Sequence, residues 1–475
     1  MNNTEILQVA LPVPLPRTFE YLPVNPERET ALGARVLVPF GKRKLVGVVV
    51  GRAAESELPR SRLISISEVL DDGVAILDRH LLELLQWCWK YYKHAPGEVV
   101  FSALPPSLRK AGTRLPGPPM HYALTEEGKK RLQTPPGRAK GQYAMLQALA
   151  GAPKPCEFLA DIGSQWRKTL ATLIEHGWVG SGPAAQPAPA VAAGPELTPG
   201  QREAVEAIAT DLGNFHCHLL DGVTGSGKTE VYMTLIERVL GEGGQALVLV
   251  PEIGLTPQLL RRFRQRLGLE PAVINSSLTP SARLRAWSDA RAGRAALVIG
   301  TRSALFTPLA RPGILILDEE HDSSFKQQEG FRYSARDIAV KRASMLGIPV
   351  VLGSATPSLE SFKNALDGRY GWHRLRERAT RAALPAWRVL DMKQQQAPGG
   401  LTAAALDAMD EALSRGEQAM VFLNRRGYAP VLMCQSCGWA GSCERCDAHL
   451  TWHRSAGILC CHHCGSQRRV PKLCP

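Results

Sequence analysis

Residues 222–229 read GVTGSGKT, and this stretch decides the fold of the middle of the chain. It follows the apolar run CHLLDG (217–222) and precedes the amphipathic run TEVYMTLIERVL (229–240), so it stands between a predicted strand and a predicted helix. Glycines let backbone N–H groups close around phosphates at the positive end of the following helix. We expect a Walker A loop, in which Lys228 contacts the β- and γ-phosphates of ATP and Thr229 ligates Mg²⁺. The phosphate-binding backbone is predicted at three glycines: Gly222, Gly225 and Gly227.

Two further strings belong with this loop. The run ILILDEEH (314–321) is a predicted strand that ends in acids, of which Asp318 is expected to hold Mg²⁺ and Glu319 to orient the attacking water. The run VVLGSATPS (350–358) places small hydroxyl residues after a buried strand, where they can bridge the acids to a second ligand site. The order of the three strings favours an ATP-hydrolysing motor.

The surrounding pattern predicts a multidomain α/β protein. From Leu197 onwards, apolar runs alternate with amphipathic segments, which is typical of a parallel sheet covered on both faces. The segment 118–182 is predicted as a winged helix, with a three-helix spacer as the alternative. The predicted organisation is a β-rich domain at 1–105, a linker at 106–117, the winged helix at 118–182, a second linker at 183–195, a P-loop motor lobe at 196–395, the beginning of a second lobe at 399–433, where QAMVFLNRRGY (418–428) opens another such sheet, and a cysteine-rich zinc module at 434–475. That the first domain binds DNA and that the motor lobe is RecA-like is what the family resemblance given below implies.

The balance of charge indicates a polyanionic partner. Lys and Arg number 57 against 44 Asp and Glu, which gives a net charge of +13. Cationic side chains that neutralise phosphates release condensed counterions, although a basic surface without such a partner gives the same count. There is neither a long uninterrupted apolar run nor a signal-like N-terminus, so we expect a cytoplasmic protein with no membrane partner.

Cysteine usage indicates metal. Eight of the eleven cysteines lie between Cys434 and Cys474. Each C-x-x-C places two thiolates on one tight turn, which is half of a tetrahedral zinc site. Three such halves and one further cysteine give seven candidate ligands: Cys434, Cys437, Cys443, Cys446, Cys461, Cys464 and Cys474.

Longer strings resemble one family. LTPGQREAV, GVTGSGKTEVY, VPEIGLTPQ, VIGTRSALFTP, LDEEHDSSFKQQEGFRYSARD, GSATPS and FLNRRGYAP are similar to the motor motifs of PriA-type replication-restart helicases of superfamily 2. The resemblance covers essentially the whole chain, including LPVPLPRTFEYL and VPFGK near the N-terminus. It implies that Gln201 reads adenine and that 325–336 is an aromatic-rich loop. The DNA-contacting side chains implied in that loop are Phe325, Lys326, Phe331, Arg332 and Tyr333, with plain core packing as the alternative for the three rings.

The resemblance also implies a pocket for the 3′ end of a nascent strand at Phe19, Glu20 and Gly33, with Glu20 standing where the family has Asp. It implies two zinc sites with interleaved pairing. Cys443, Cys446, Cys461 and Cys464 form the site that is complete here, whereas Cys434, Cys437 and Cys474 contribute to the other. Cys460, His462 and His463 are then bystanders.

The implied function is an ATP-dependent 3′→5′ DNA helicase that recognises stalled or abandoned forks and initiates primosome assembly. Its implied cofactors are ATP, Mg²⁺ and Zn²⁺, and its implied partners are forked and single-stranded DNA, other primosome proteins and single-stranded DNA-binding protein. The second-lobe arginines that stabilise transition-state charge in this family have no counterpart after Arg426. We therefore expect a fragment or a truncated product, and whether it hydrolyses ATP or unwinds DNA stays open. The alternative is a non-enzymatic fork-binding primosome scaffold. A P-loop kinase or transport ATPase is disfavoured, because it would not explain GSATPS, the aromatic loop and the cysteines together.

Overall fold

The structure, a computed structural model, describes residues 5–471 and 473 apart from the following positions: 26–28, 57, 119, 135–138, 152, 156–157, 160–161, 163–164, 184–193, 379–385, 392–396, 398–399, 423–430, 435, 447–448, 454–456, 462–463 and 472. The chain forms two compact units, Met1–Ala382 and Ala383–Pro475. Across the described residues, none of the helices combines the length and the apolar character that a membrane crossing requires.

The chain begins with a small antiparallel barrel. Its five strands occur in the sheet order β2-β1-β4-β3-β5 and are β1 Ile6–Ala10, β2 Phe19–Tyr21, β3 Arg35–Phe40, β4 Arg43–Ala53 and β5 Glu68–Val69. Leu22 pairs with the segment just before β5, since its N–H donates to the Ile64 carbonyl at 3.0 Å and its carbonyl accepts from Ile66 at 2.9 Å. These bonds close the sheet. Two helices follow it, α1 Arg79–Tyr91 and α2 Pro96–Ser102.

A buried arginine fixes the segment that follows the barrel helices. The Arg35 guanidinium is fully buried and pairs with Asp71 at 2.6 and 2.8 Å. It also donates to the carbonyl oxygens of Leu108 at 2.5 Å, Lys110 at 3.2 Å and Thr113 at 2.6 Å. The Pro/Gly-containing stretch after residue 105 is therefore hydrogen-bonded to the barrel rather than a free linker.

The next region has a core of its own. Its elements are β6 Met120–Leu124, α3 Glu126–Leu132, α4 Lys140–Ala148, β7 Lys154–Pro155, α5 Trp166–Glu175 and β8 Val179–Pro183. The strands pair antiparallel in the order β7-β6-β8. Met145, Leu146 and Leu173 are fully buried between the helices and this sheet. Helices with a small antiparallel sheet are the elements of a winged helix, and duplex-DNA reading by this region stays a prediction.

The motor lobe is a seven-stranded parallel sheet in the order β11-β12-β10-β13-β14-β9-β15. Its strands are β9 Cys217–Gly222, β10 Gln245–Leu249, β11 Ala272–Ile274, β12 Leu297–Gly300, β13 Pro312–Asp318, β14 Val350–Ser354 and β15 Gly371–Leu375. The six helices are α6 Pro199–Ala209, α7 Lys228–Gly241, α8 Pro257–Leu267, α9 Pro280–Arg291, α10 Ala335–Leu346 and α11 Leu359–Leu366. The predicted parallel-sheet lobe is confirmed.

Three of these helices begin with the same dipeptide. Thr198, Thr256 and Thr279 are N-caps whose hydroxyls accept from the third helical N–H, and each is followed by proline. A Thr cap satisfies a backbone donor, and proline at the first position lacks the N–H that would otherwise be unpaired. The Thr-Pro pairs therefore set where the helices start.

The barrel helices and the motor lobe share one core. The buried cluster on one face of the parallel sheet continues into the apolar faces of α1 and α2. Trp287 on α9 donates its indole N–H to the Ala103 carbonyl at 3.0 Å, and Arg291 donates to the Ile76 carbonyl at 3.0 Å. The domain predicted at 1–105 and the parallel-sheet lobe are thus packed together within the unit Met1–Ala382, and the predicted end of the lobe at 395 lies beyond that unit.

The second unit holds one helix, α12 Ala403–Ser414, and a small antiparallel sheet in the described residues. The sheet comprises β16 Thr451–His453, β17 Ile458–Cys460 and β18 Gln467–Arg469. The run 418–428 was predicted to open another parallel sheet. Among its described residues, 418–422 are exposed and form neither a helix nor a strand. The remainder of that run lies outside the described residues.

Candidate functional site

The predicted Walker loop joins β9 to α7. Gly225 and Gly227 have φ of +81° and +79°, a left-handed conformation that suits glycine. A Cβ at Gly222 would lie 2.5 Å from the Ser226 hydroxyl, so the loop closes only over a glycine there. Lys228 lies at the start of α7, and its ammonium donates to the Gly222 carbonyl at 3.0 Å. The backbone therefore forms a cradle, across which Lys228 is folded; Thr229 is half-buried in the first turn of α7.

The predicted acids face this cradle. Asp318 ends β13, and Glu319 turns the chain with a φ of +50°. The Lys228 ammonium lies 3.5 Å from Glu319 Oε1. Burial, with a contribution from Glu319, raises the pKa of the Asp318 carboxyl. A buried carboxylate beside a second acid is a place where a cation would be favourable.

Tyr232 is a member of this site that sequence analysis missed. Its hydroxyl donates to Asp318 Oδ1 at 3.0 Å, and its ring is buried on α7. A Cβ at Gly353 would lie 1.6 Å from that hydroxyl oxygen, so glycine at the end of β14 makes room for it. Burial raises the pKa of Tyr232 well above its ordinary value, which keeps it a donor. The signal was a tyrosine on the apolar face of the helix after the Walker loop.

The segment VVLGSATPS (350–358) is hydrogen-bonded to the acidic turn that follows β13. Glu320 is buried and accepts hydrogen bonds from the Ser358 N–H at 2.7 Å and from the Ser358 and Ser361 hydroxyls at 3.0 Å each. His321 Nδ1 lies 2.7 Å from the Ser354 hydroxyl. A displacement of the turn that carries Glu320 would therefore also displace the start of α11.

Gln201 is buried beneath the Walker loop. Its side-chain carbonyl accepts from the Thr198 N–H at 2.9 Å, and its amide donates to the Ser226 carbonyl at 2.8 Å. The side chain thus ties the start of α6 to the phosphate loop. Adenine reading by Gln201 stays a prediction.

The aromatic loop corrects an expectation. Phe325, Phe331 and Tyr333 are only 3%, 7% and 5% exposed, so their rings are not presented to unpaired bases. They pack instead against the motor and the barrel helices; the Phe331 ring lies 5.7 Å from that of Tyr92. Apolar rings gain more by burial at this shared core than by exposure. The exposed members of the predicted set are Lys326 and Arg332.

Phe19 and Glu20 line one cavity at the rim of the barrel, which we call the rim pocket. The Phe19 ring meets the Phe40 ring edge-on at 5.3 Å, and the Ser56 hydroxyl donates to Glu20. The pocket is completed by Arg17, Thr18, Tyr21, Pro39, Gly41, Glu55, Leu58, Arg62, Leu63 and Ile64.

Gly33 is not brought to the rim pocket, which corrects the predicted set. It lies before β3, where its carbonyl accepts from Ile76, and a Cβ there would be 2.0 Å from the Leu77 carbonyl oxygen. That glycine is required by backbone packing. The glycine that lines the pocket is Gly41, with a φ of +58° and open space around it. It belongs to the VPFGK string, which was the available signal.

A second cavity adjoins the rim pocket and shares Arg17 and Thr18 with it. We call it the basic groove; its lining is Gln8, Pro16, Arg17, Thr18, Val50, Gln86, Trp89, Lys90, Lys93, His94 and Pro96, without a carboxylate among these described residues. The His94 ring lies 5.4 Å from the Phe331 ring of the aromatic loop. Sequence analysis missed the basic groove. The available signal was WCWKYYKH (87–94), in which cations and aromatic rings are interleaved as they are in single-strand-binding surfaces.

Four cysteines of the second unit converge. One sulfur from each of Cys443, Cys446, Cys461 and Cys464 lies within 4.8 Å of all the others. The Cys443–Cys464 and Cys446–Cys461 sulfur distances are 3.5 Å each. Thiolates around Zn²⁺, with bonds of about 2.3 Å, are ~3.8 Å apart, so the set fits zinc. Cys460 lies on β17 and is outside this group, whereas His462, His463 and Cys474 lie outside the described residues.

Family profiles match three parts of the chain. They are the 3′ DNA-binding domain of PriA over residues 8–105, the DEAD/DEAH box helicase over residues 198–365, and the PriA DNA helicase Cys-rich region over residues 443–469. The last match contains all four converging cysteines.

Relatives match over nearly the whole chain. Replication restart protein PriA of Haemophilus influenzae is 41% identical, over 99% of this chain and 65% of that protein. The PriA proteins of Bacillus subtilis and Synechocystis are 32% and 34% identical, over 100% and 93% of this chain and 68% and 64% of their own lengths. The chain thus spans about two thirds of the length of these relatives. With that identity along its length, and with the nucleotide cradle, rim pocket and cysteine site in the matched regions, the chain belongs to the PriA replication restart protein family.

Proposed function

We propose that this chain carries the ATP-binding and fork-recognising parts of an ATP-dependent 3′→5′ DNA helicase, which acts at stalled or abandoned forks and initiates primosome assembly. The observation that carries the proposal is the packing of a nucleotide cradle and a DNA-end pocket into one compact unit. Forked and single-stranded DNA are the proposed substrates, other primosome proteins and single-stranded DNA-binding protein the proposed partners, and the cytoplasm the proposed location.

The nucleotide half of the proposal rests on the cradle. Lys228 would leave the Gly222 carbonyl for the β- and γ-phosphates, Thr229 and Asp318 would hold Mg²⁺, and Glu319 would orient water. The 3.5 Å approach of Lys228 to Glu319 shows that both groups reach the same space. Bound Mg²⁺ would supply charge neutralisation at the phosphates.

The DNA half rests on the rim pocket and the basic groove. A carboxylate beside an aromatic ring suits a sugar hydroxyl and a terminal base, which are the chemical features of a free 3′ end. The groove would receive the adjoining phosphates, because Arg17, Lys90 and Lys93 line it without opposing carboxylates among the described lining residues. His94 then connects this path to the aromatic loop at Phe331.

Zinc is proposed at the four converging cysteines, where it would hold two C-x-x-C turns together. A second zinc is proposed at Cys434, Cys437 and Cys474, in keeping with the interleaved pairing implied by the family resemblance.

The experiment is DNA-stimulated ATP hydrolysis on forks that carry a free 3′ end. We expect hydrolysis to be slow, because the second-lobe arginines have no counterpart after Arg426, but to rise when such forks are added and to vanish in Lys228→Ala. Fork binding without any DNA-stimulated hydrolysis would favour the non-enzymatic scaffold instead.

The groove is tested by neutralisation. The double variant Lys90→Gln, Lys93→Gln should bind single-stranded DNA more weakly and lower the salt slope of log K by about 1.4, since each phosphate contact on a single strand contributes ~0.7. Lys363→Gln is the control, because Lys363 lies on α11, away from the groove, and forms an ion pair with Asp367. An unchanged salt slope in the double variant would remove the groove from the DNA path.

A further inference from the structure

A histidine cluster lies at the edge of the motor sheet, away from the nucleotide cradle. His216 and His218 stand at the amino end of β9, whereas the Walker loop leaves its carboxyl end at Gly222. His373 lies on the neighbouring strand β15, and Asp211 follows the end of α6. The cluster therefore joins the segment after α6, the strand β9 and the edge strand β15 beside it.

The geometry of three of these residues suits a cation. One ligand atom from each of Asp211, His216 and His218 lies within 4.8 Å of the other two. The distance from His218 Nε2 to Asp211 Oδ2 is 3.3 Å, which matches the ~3.3 Å edge of a tetrahedron with metal bonds of 2.0–2.1 Å. The rings of His216 and His218 are 4.8 Å apart.

His218 is the buried member, and its Nε2 faces the Asp211 carboxylate without forming a hydrogen bond. Its residue exposure is 2%, and Nε2 makes no hydrogen bond to any described group. A buried nitrogen that lies close to a carboxylate without a hydrogen bond to it is satisfied if a cation is bound between the two groups.

The other nitrogen of His218 is already oriented. Nδ1 lies 3.1 Å from His373 Nε2. Gly371 leaves room for this pair, because a Cβ there would be 2.8 Å from His218 Nδ1 and 3.2 Å from His373 Nε2. Metal-bound histidines use their second nitrogen in such a bond, which fixes the tautomer and the ring orientation.

We propose that Asp211, His216 and His218 bind a divalent transition-metal ion of the zinc class, with His373 as the outer partner of His218. Two imidazoles and one carboxylate are a donor set that selects Zn²⁺, Co²⁺ or Ni²⁺ over Mg²⁺ or Ca²⁺. The ion would tie the end of α6, which begins beneath the Walker loop with Gln201, to the start of β9 and to the edge strand β15. Its role is to stiffen the lobe.

The test is titration of the metal-free chain, residues 1–475, with Co²⁺. Cobalt on thiolates gives sulfur-to-metal charge-transfer absorption, whereas cobalt on nitrogen and oxygen gives only weak d–d bands. We expect one equivalent beyond those that carry charge-transfer absorption. Asp211→Asn and His216→Asn should each weaken that equivalent at least tenfold.

The control is His80→Asn, which removes an exposed histidine on α1. It should retain the additional equivalent. Unchanged affinity for a fluorescent ATP analogue shows that each variant is folded. The proposal is overturned if wild type binds no equivalent beyond the thiolate sites, if both ligand variants keep it, or if His80→Asn loses it equally.

Discussion

We expect Lys228 and Asp318 to act at different parts of the same site, Lys228 on the phosphates of ATP and Asp318 on Mg²⁺. Lys228→Ala removes a cation from the phosphate cradle, and a hydrogen bond to a charged group contributes ~1.5–3 kcal/mol, so ATP affinity should fall about 10- to 100-fold. Asp318→Asn keeps the shape of the site while removing its charge, so nucleotide binding should largely persist and Mg²⁺-dependent turnover should be lost. Fluorescent-nucleotide titration and steady-state hydrolysis measure the two effects. Unchanged ATP affinity in Lys228→Ala would dismiss this loop as the nucleotide site.

We expect Tyr232 to act through Asp318. Its hydroxyl donates to Asp318 Oδ1 at 3.0 Å and so orients that carboxylate. In Tyr232→Phe the carboxylate loses this orientation, and loss of an outer hydrogen bond costs about 10- to 100-fold in metal affinity. The Mg²⁺ concentration needed for half-maximal hydrolysis should rise accordingly, while metal-free nucleotide binding stays unchanged. Tyr143→Phe deletes the same atom on α4 and should have no effect; an equal Mg²⁺ response in both variants would assign Tyr232 to packing alone.

Single residues also show which parts of the candidate site could be predicted from the sequence. Lys228, Asp318 and Glu319 fall together as predicted, because strand–loop–helix order brings them to one sheet edge. Gly33 and Gly41 were confused, since a pattern does not tell a glycine required by backbone packing from one that lines a pocket. Tyr232 needed the three-dimensional contact with Gly353.

At the level of elements, the five inner parallel strands were predictable because each is apolar on both faces, whereas the edge strands β11 and β15 are only partly buried and were missed. The packing of their neighbours was not predictable. Residues 106–117 look like a linker by composition, yet the buried Arg35 on a distant strand fixes them by hydrogen bonds. The rings of the aromatic loop were expected at a surface, but the shared core with α1 buries them. Both misses depend on contacts between residues far apart in sequence.

The cysteine module supports a prediction about ligand register. Cys443→Ser removes one of the four converging sulfurs and should abolish the zinc that resists mild chelation. Cys460→Ser changes the neighbouring thiol on β17, outside the group, and should leave that zinc in place. Atomic absorption before and after chelation gives the count, which we expect to fall towards one per chain in the wild type. If Cys460→Ser loses the resistant zinc and Cys443→Ser keeps it, the ligand assignment is wrong.

At the scale of the whole molecule, the main feature of the first unit is that the barrel and the motor lobe are packed together. The barrel contributes α1 and α2 to the same core as the motor sheet, and Trp287 and Arg291 hydrogen-bond across that junction. We therefore expect a ligand bound to the barrel to influence the motor through this shared core. The basic groove lies between the rim pocket, with which it shares Arg17 and Thr18, and the aromatic loop, where the Phe331 ring is 5.4 Å from that of His94.

This arrangement predicts discrimination between DNA ends. A fork with a free 3′-hydroxyl can donate a hydrogen bond to Glu20, whereas a 3′-phosphate places negative charge against that carboxylate. A charge-assisted hydrogen bond contributes ~1.5–3 kcal/mol, so free ends should bind about tenfold or more tighter than blocked ends in competition titrations. Glu20→Gln should lose most of this preference. Glu55→Gln, an exposed acid lining the same pocket, should keep it. Both variants should retain steep salt dependence, since the basic groove is untouched. Equal affinity of the wild type for free and blocked ends would remove the end-binding role of the rim pocket while leaving the groove as a general DNA contact.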